Sequence, residues 1–386
     1  MRIALFGAGH MGKSLARKLI EYDFVEELII VDKDNYALDY FRTSLINEKI
    51  SLENTDIKNI EAISRILTRV DLAIAAIPPS LTTLNIIKIC IDTGCNYLDL
   101  GLGDYPLLEI LKNEDLFRIS GISVFPCYGL APGITNIIAK HLAHKLDVVE
   151  EIRIRDGSMV HSKRYELIFT YSPSVFLSDF STKPVIYENR TFKRKQPLSL
   201  EEDYEFPPPV GKLKVYLISH EETLTLPRYL GKDIKYLDFK LALSRETYQI
   251  IKVILKLGLL RDDPIEVDGV MVSPKSVLLA LLPKPVNFSN IEGHEMLLVE
   301  TKGIKDGRKV KNIGYVYLTH KEAYQKYNES ATAYLTSLLP LIIVEMLNKG
   351  EINQTGLILP EMLDCEILLQ KLIQKGMPYY EQSSTL

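Results

Sequence analysis

Ile3-Ala-Leu-Phe-Gly-Ala-Gly-His-Met-Gly12 is the stretch on which the reading of this chain turns. An apolar run enters G-x-G-x-x-G, with glycines at Gly7, Gly9 and Gly12. Gly7 permits a tight strand-to-helix turn, Gly9 leaves bare backbone for a pyrophosphate, and Gly12 lets the next helix pack against the strand. The helix expected over Lys13 to Tyr22 directs its N-terminal amides and positive dipole end at that pyrophosphate. His10 and Met11 lie in the loop and are expected beside the cofactor. A second apolar run, Glu27 to Val31, ends at Asp32, about 20 residues beyond Gly12, where a carboxylate takes the ribose hydroxyls. A carboxylate there repels a 2′-phosphate, and Lys33 softens the repulsion. NAD is therefore the expected cofactor, with NADP as the alternative.

Working outward, strands and helices alternate to about residue 125. Helices are expected over Tyr36 to Glu48, Ile57 to Leu67, residues 81–92 and Pro106 to Ile119. Strands are expected over Asp71 to Ile77, Tyr97 to Leu100 and Ile122 to Phe125. This alternation predicts an α/β fold with a doubly wound parallel sheet. Loops at the carboxyl ends of its strands line the ligand crevice, which nominates Ala76, Ile77, Pro78 and Asp99. Asp56 is placed either to face the adenine or to cap a helix.

The chain has 386 residues, 46% hydrophobic and 25% charged, with a net charge of −4. That length points to two domains or three lobes. Interspersed charge and an acidic balance argue against a nucleic-acid partner. The most apolar run, Ala331 to Leu347, carries Thr, Ser, Pro and Glu and reads as a buried helix, so no membrane partner is expected. A strand opening at Arg2 leaves no room for a signal peptide, and Cys90, Cys95, Cys127 and Cys365 form no C-x-x-C. Both features predict a cytoplasmic protein without a metal site. His141 and His144 share a helix face with Asp147 a turn on, and that face is read as solvated.

From residue 148 to 325 the runs become shorter and richer in β-branched and aromatic residues. Val149 to Arg155, Val215 to Ser219, Lys235 to Leu243, Met296 to Thr301 and Asn312 to Thr319 predict a mostly antiparallel sheet. Helices are expected over Thr247 to Leu257 and Pro274 to Leu282, and Asp306-Gly307 reads as a hairpin turn. The last lobe is helical again, with Ala331 to Asn348 ending at Lys349-Gly350.

On these residues the chain resembles the saccharopine dehydrogenase and lysine 6-dehydrogenase family over nearly its whole length. The resemblance is carried by Phe6 to Gly12, Tyr97 to Gly101, Gly129-Leu-Ala-Pro-Gly-Ile-Thr-Asn136, Tyr171-Ser-Pro173, Lys183 to Asn189, Ala331 to Tyr334 and Gly356 to Glu361. It implies an N-terminal Rossmann domain over 1–127, an inserted α+β domain over 128–329 for substrate and dimerisation, and a helical segment over 330–386 returning to the Rossmann domain. It also implies hydride transfer between NAD(P) and the amine-bearing carbon of an amino acid or related amine, in a homodimer. Two departures sit at the substrate side. Cys127 stands where the family often has an acid. Leu241-Ala-Leu-Ser-Arg-Glu-Thr247 replaces the family's T-x-R-x-x-G-H, putting Leu243 at the arginine. Reductive condensation of an aldehyde with an amino acid, and a nucleotide-binding regulator without turnover, are the competing functions.

Oxidising an amine by hydride loss requires a base for its proton and cationic partners for substrate carboxylates. His220, in Ser219-His-Glu-Glu-Thr223 after an expected strand, titrates nearest neutral pH and leads as the base. Glu221 beside it and Cys127 at the family's acid position are the other catalytic candidates. Arg245, expected on the same strand face as Leu243, and Arg228 in Leu226-Pro-Arg228 are the carboxylate partners, with Tyr171 and Ser172 as substrate hydrogen-bonding groups.

Overall fold

Short apolar runs buried on both faces build the first sheet apart from its half-buried edge strand Ile50–Asn54, as a parallel sheet between helical layers requires. Its strands are β1 (Arg2–Phe6), β2 (Glu27–Asp32), β3 (Ile50–Asn54), β4 (Leu72–Ala75), β5 (Asn96–Asp99) and β6 (Ser123–Phe125), joined at one edge by Gly356–Leu357. In the computed structural model, which describes residues 1–162, 167–282 and 291–386, these seven strands are all parallel. Their order is β3-β2-β1-β4-β5-β6 and then Gly356–Leu357. The order reverses between β1 and β4, and the crevice at such a switch point is where open α/β sheets bind ligands. The doubly wound sheet read from the sequence is therefore present.

Several boundaries differ from the sequence reading. The helix expected from Ile57 is Ile60–Leu67, capped by Asn59, whose side chain accepts from the Ala62 amide. Asp56 is not the cap; its carboxylate accepts from the Lys58 amide at 2.9 Å. The expected Pro106–Ile119 helix is two, Asp104–Lys112 and Glu114–Ser120, divided at Asn113.

The chain forms two compact units, Met1–Ile137 with Ala333–Met377, and Ile138–Thr332 with Pro378–Leu386. The sequence reading set these divisions at 127/128 and 329/330 and kept the last residues with the helical segment. Instead, Tyr379–Thr385 pairs antiparallel with the second unit's sheet. Ala331–Asn348 is, among the described residues, the helix long and apolar enough to cross a membrane, and most of it is buried.

The second unit is built on β7 (Val148–Asp156), β8 (Met159–His161), β9 (Val185–Glu188), β10 (Thr191–Arg194), β11 (Glu202–Phe206), β12 (Gly211–Leu217) and β13 (Tyr236–Ala242). A separate ribbon of β14 (Ile265–Val267) and β15 (Val270–Val272) follows, then the long hairpin of β16 (Glu292–Lys305) and β17 (Arg308–Thr319). Asp306 and Gly307 close that hairpin with φ of 49° and 73°, the doubly left-handed turn that matches strand twist. The main path runs β10-β9-β13-β7-β16-β17 and then Tyr379–Thr385. Phe206, Val215, Ala242, Met296, Leu298 and Tyr315 form a core against one face. Fully buried Arg155 fixes β7 beside β13 through two bonds to Asp238, at 2.7 and 3.2 Å, and one to Glu202 at 2.7 Å. Such a pair costs desolvation, but removing one partner costs far more. This lock places the next residue, Asp156, at the strand's end.

Candidate functional site

The first part of the site is the glycine loop of the first unit. Gly7 has φ +107°, and a Cβ there would meet the Ala76 carbonyl oxygen at 2.4 Å. A Cβ on Gly12 would lie 1.8 Å from the Gly7 carbonyl oxygen. At Gly9 a Cβ would meet nothing within 4 Å. The glycines at 7 and 12 thus hold the turn closed, while Gly9 faces open space. Gly9 caps helix His10–Leu19 without a side-chain hydrogen bond, so no capping side chain covers the first-turn amides. These features fit a dinucleotide pyrophosphate.

Asp32 ends β2 with each carboxylate oxygen engaged: Oδ2 accepts from the Ala8 amide at 2.7 Å and Oδ1 from the Asp34 amide at 2.8 Å. It therefore braces the loop, and its remaining lone pairs are available to ribose hydroxyls. Burial first, and then Lys13, push the His10 imidazole down to about 4, so it is neutral at physiological pH. Met11, Ala76 and Ile77 are half-buried, whereas Lys33 and Pro78 are exposed. Asp99, 1% exposed, accepts from the Cys127 amide at 2.9 Å. Cys127 has φ +69° and is buried, so its backbone anchors the chain leaving β6. The segment that follows is held in turn, with Asn136 accepting from the Gly133 amide and donating to Glu361.

The second part is a cavity of about 360 Å³ within the second unit. It is lined by Asp156, Ser158, Tyr171, Leu243, His294, Glu295 and His320, among others. Register explains the acids. Leu297 pairs with Asp156 across the β16–β7 ladder, so Glu295, two residues earlier, points to the same face. Ser158 links them: its amide donates to Asp156 at 2.8 Å and its hydroxyl to Glu295 at 3.0 Å. Thr332 donates to the other Glu295 oxygen. Burial, and then the neighbouring Asp156, push Glu295 up to about 8. Burial raises Asp156 as well, against the pull of Ser158 and His220. The pair therefore retains a proton near neutral pH.

Two cavity histidines, His294 and His320, are neutral. His320 is 1% exposed, and its Nδ1 accepts from the Ala331 amide at 3.3 Å, which leaves the ring proton on Nε2. Burial, and then His294, push it down to about 4. His294 donates from Nε2 to the Gly157 carbonyl at 3.2 Å and is lowered by burial.

The sequence candidates separate on this geometry. Tyr171 lines the cavity. Ser172 bonds Ser174 and stands at the N-cap of helix Pro173–Ser181 without a side-chain capping bond. His220 stacks on Phe239 at 3.8 Å, and its Nδ1 lies 2.5 Å from Glu222 and 3.7 Å from Glu221. Burial opposes its charge, but Glu222, Glu221 and Asp179 outweigh it and push His220 up to about 10. It is thus an imidazolium in an ion pair, not the neutral base expected of it. His220, Glu221 and Glu222 bring ligand atoms within 4.8 Å of one another, a cluster with metal-ligand chemistry that the sequence reading passed over. The strand expected to carry Arg245 ends at Ala242, and Ser244 caps helix Arg245–Lys256 by accepting from the Thr247 amide at 3.0 Å. Arg245 is exposed at that helix start and does not share a strand face with Leu243. Arg228 is also exposed, stacked over Phe192 at 5.0 Å. Sequence reasoning missed Asp156, Glu222, His294, Glu295 and His320; only the position of Asp156 at a strand end carried a signal.

The model of the saccharopine dehydrogenase NADP-binding domain matches residues 3–116, and that of the saccharopine dehydrogenase C-terminal domain matches 129–377. Carboxyaminopropylagmatine dehydrogenase of Synechocystis sp. is 23% identical over 98% of this chain and 97% of its own length. Carboxynorspermidine synthase of Vibrio cholerae is 23% identical over 98% of this chain and 96% of its own. Saccharopine dehydrogenase (L-Glu forming) of Saccharomyces cerevisiae shares the fold, with a TM-score of 0.75 at 16% identity over 99% of each chain. With both domain models matched along it, the chain belongs to the saccharopine dehydrogenase family of NAD(P)-binding oxidoreductases.

Proposed function

We propose that this chain interconverts an imine and a carboxylated amine, acting on the amine-bearing carbon of an amino-acid derivative built on a diamine or guanidino amine. The observation that carries this reading is the polar cavity of the second unit, lined by two linked acids, by neutral His294 and His320, and by Leu243 in place of the family's arginine. A pocket made for a dicarboxylate would present guanidinium groups. Among the described lining residues none is Lys or Arg. The relatives that span the chain are named for carboxylated amines of this kind.

Gly7, Gly9, Gly12 and Asp32 would hold the dinucleotide, whose nicotinamide would supply or accept the hydride at the carbon of the C–N bond. In the reductive direction the nitrogen gains a proton; in the oxidative direction the imine is left for water to hydrolyse. The protein's part is to hold the amine's carbon in a fixed geometry for hydride transfer. We place the enzyme in the cytoplasm as a homodimer, a reading that its buried free cysteines support for compartment. Light scattering of the purified chain tests the dimer.

The reaction is tested by following reduced nicotinamide with amino-acid semialdehydes paired with lysine, glutamate, putrescine or agmatine. Consumption with the diamine or agmatine, and weaker consumption with glutamate, is expected. Tight cofactor binding with no consumption across the panel would overturn the reading in favour of a regulatory nucleotide-binding protein.

A further inference from the structure

We propose that Glu361, acting through Asn136, is a positioning residue for the nicotinamide half of the cofactor site, holding the loop after β6 in the shape which that half of the crevice needs. The inference concerns the dinucleotide site of the first unit and does not rest on the proposed amine substrate.

Topology sets the place. A dinucleotide lies across the switch point, one mononucleotide to each half of the sheet. The glycine loop and Asp32 belong to β1 and β2, which gives the adenosine that side. The carboxyl ends of β4, β5 and β6 are left for the nicotinamide mononucleotide. The chain leaving β6 there is Cys127 to Gly133. Its Cys127 and Tyr128 amides both donate to Asp99 at the end of β5, at 2.9 Å to the carboxylate and 2.8 Å to the carbonyl. A Cβ on Gly129 would lie 2.3 Å from the Leu100 carbonyl oxygen, and one on Gly133 would lie 2.3 Å from the Gly129 carbonyl oxygen. The loop is thus folded back on itself against the end of β5.

Asn136 links this fold to the far end of the chain. It is 1% exposed, accepts from the Gly133 amide at 3.0 Å and donates from Nδ2 to Glu361 at 3.0 Å. One orientation of the amide satisfies both, because a backbone N–H donates and a carboxylate accepts. Glu361 is fully buried in the turn Pro360–Met362, just beyond the edge strand Gly356–Leu357. That edge is pinned to β6 and to the loop: the Ile358 amide donates to the Val124 carbonyl at 2.9 Å, and the Tyr128 hydroxyl to the Ile358 carbonyl at 3.0 Å. Burying a carboxylate is costly, and packing alone would be served better by an apolar residue of the same size. What the carboxylate supplies is a direction for Asn136. Gly129–Asn136 and Gly356–Glu361, separate stretches in the sequence reading, therefore meet in one hydrogen bond.

Calorimetric titration of the full chain with NAD and with ADP-ribose, which is NAD without its nicotinamide, tests this. Asn136→Asp keeps the acceptor for Gly133 but sets a carboxylate against Glu361. It is expected to weaken NAD about tenfold and to leave ADP-ribose within about twofold of the native value. Adding Glu361→Gln returns an amide donor to the pair with the roles exchanged, and NAD affinity is expected to recover to within about threefold of native. Equal losses for NAD and ADP-ribose would make the pair a support of the whole domain and overturn the assignment. An NAD affinity untouched by Asn136→Asp, or no recovery in the double variant, overturns it as well. Should Asn136→Asp show no melting transition, Glu361→Met, which removes the acceptor and keeps the volume, takes its place. The same selective loss is then expected, and an equal or absent loss overturns the assignment. The titration needs neither an amine nor turnover, so failure of the proposed reaction and failure of this inference are read separately.

Discussion

The two units put their functional groups together in opposite ways. In the first, the glycine loop, the helix it opens and the Ala8–Asp32 bond occupy one strand-turn-helix and the end of the neighbouring strand. In the second, Asp156 and Ser158 come from β7 and the turn after it, Tyr171 from a loop, His294 and Glu295 from β16, and His320 from the helix after β17. A nucleotide phosphate needs backbone amides, which local sequence shapes directly. A substrate needs side chains converging on a point, which strand register brings together. The first unit is thus constrained residue by residue, and the second by packing, so its polar wall can change without changing the fold.

Substitutions break or sharpen this contrast. The largest effect is expected at Gly12. Gly12→Ala drives a methyl into the Gly7 carbonyl and should weaken cofactor binding roughly tenfold to a hundredfold, whereas Gly9→Ala meets nothing within 4 Å. Nicotinamide fluorescence titration reads the binding loss, and the melting temperature of the free chain separates the causes: Gly12→Ala should lower it and Gly9→Ala should not, and equal melting temperatures would show that Gly12 does not hold the loop closed.

Next is Asp32. Asp32→Asn retains an acceptor for the Ala8 amide but not the full charge toward ribose, so NAD affinity should fall about tenfold. The native enzyme should have a lower Michaelis constant for NAD than for NADP; the opposite order would mean that Lys33 outweighs the carboxylate.

A pH effect is expected from His220. Its folded value is raised from 6.5 to about 10, so the stability it contributes is complete below 6.5 and is lost as pH rises toward 10. The melting temperature should decline over that window, and His220→Gln should flatten the decline. An unchanged slope would show that the Glu222 pair contributes nothing. The same variant should retain turnover within tenfold, which the role of general base would not allow.

The smallest effects belong to the helix that replaces the expected strand end. Ser244→Ala removes a cap and should cost about 1 kcal/mol in denaturant unfolding. Exposed Arg245→Met should leave the substrate Michaelis constant unchanged; a rise would return Arg245 to the site.

Much of the fold was legible because its signals are local. Apolar runs between helical patterns imply the parallel sheet, and Asp306-Gly307 implies its hairpin. The misplaced boundaries follow from competing local chemistry. Asp56 and Asn59 are both capping residues, and the Asn59 side chain reached the Ala62 amide. Ser244 ended a strand that apolar alternation alone would have continued. Sequence also pointed to His220, but its protonation depends on Glu222 and on burial against Phe239, neither visible in residue spacing.

By itself, then, the sequence determined the nucleotide loop and its helix, because backbone conformation and helix starts are written in consecutive residues, whereas the Ala8–Asp32 bond joins residues 24 apart through strand pairing. Only the tertiary structure decided which acids and histidines share a cavity. Asp156 meets Glu295 through an antiparallel register across more than a hundred residues, and His320 becomes a neutral donor because burial and the Ala331 amide assign its proton.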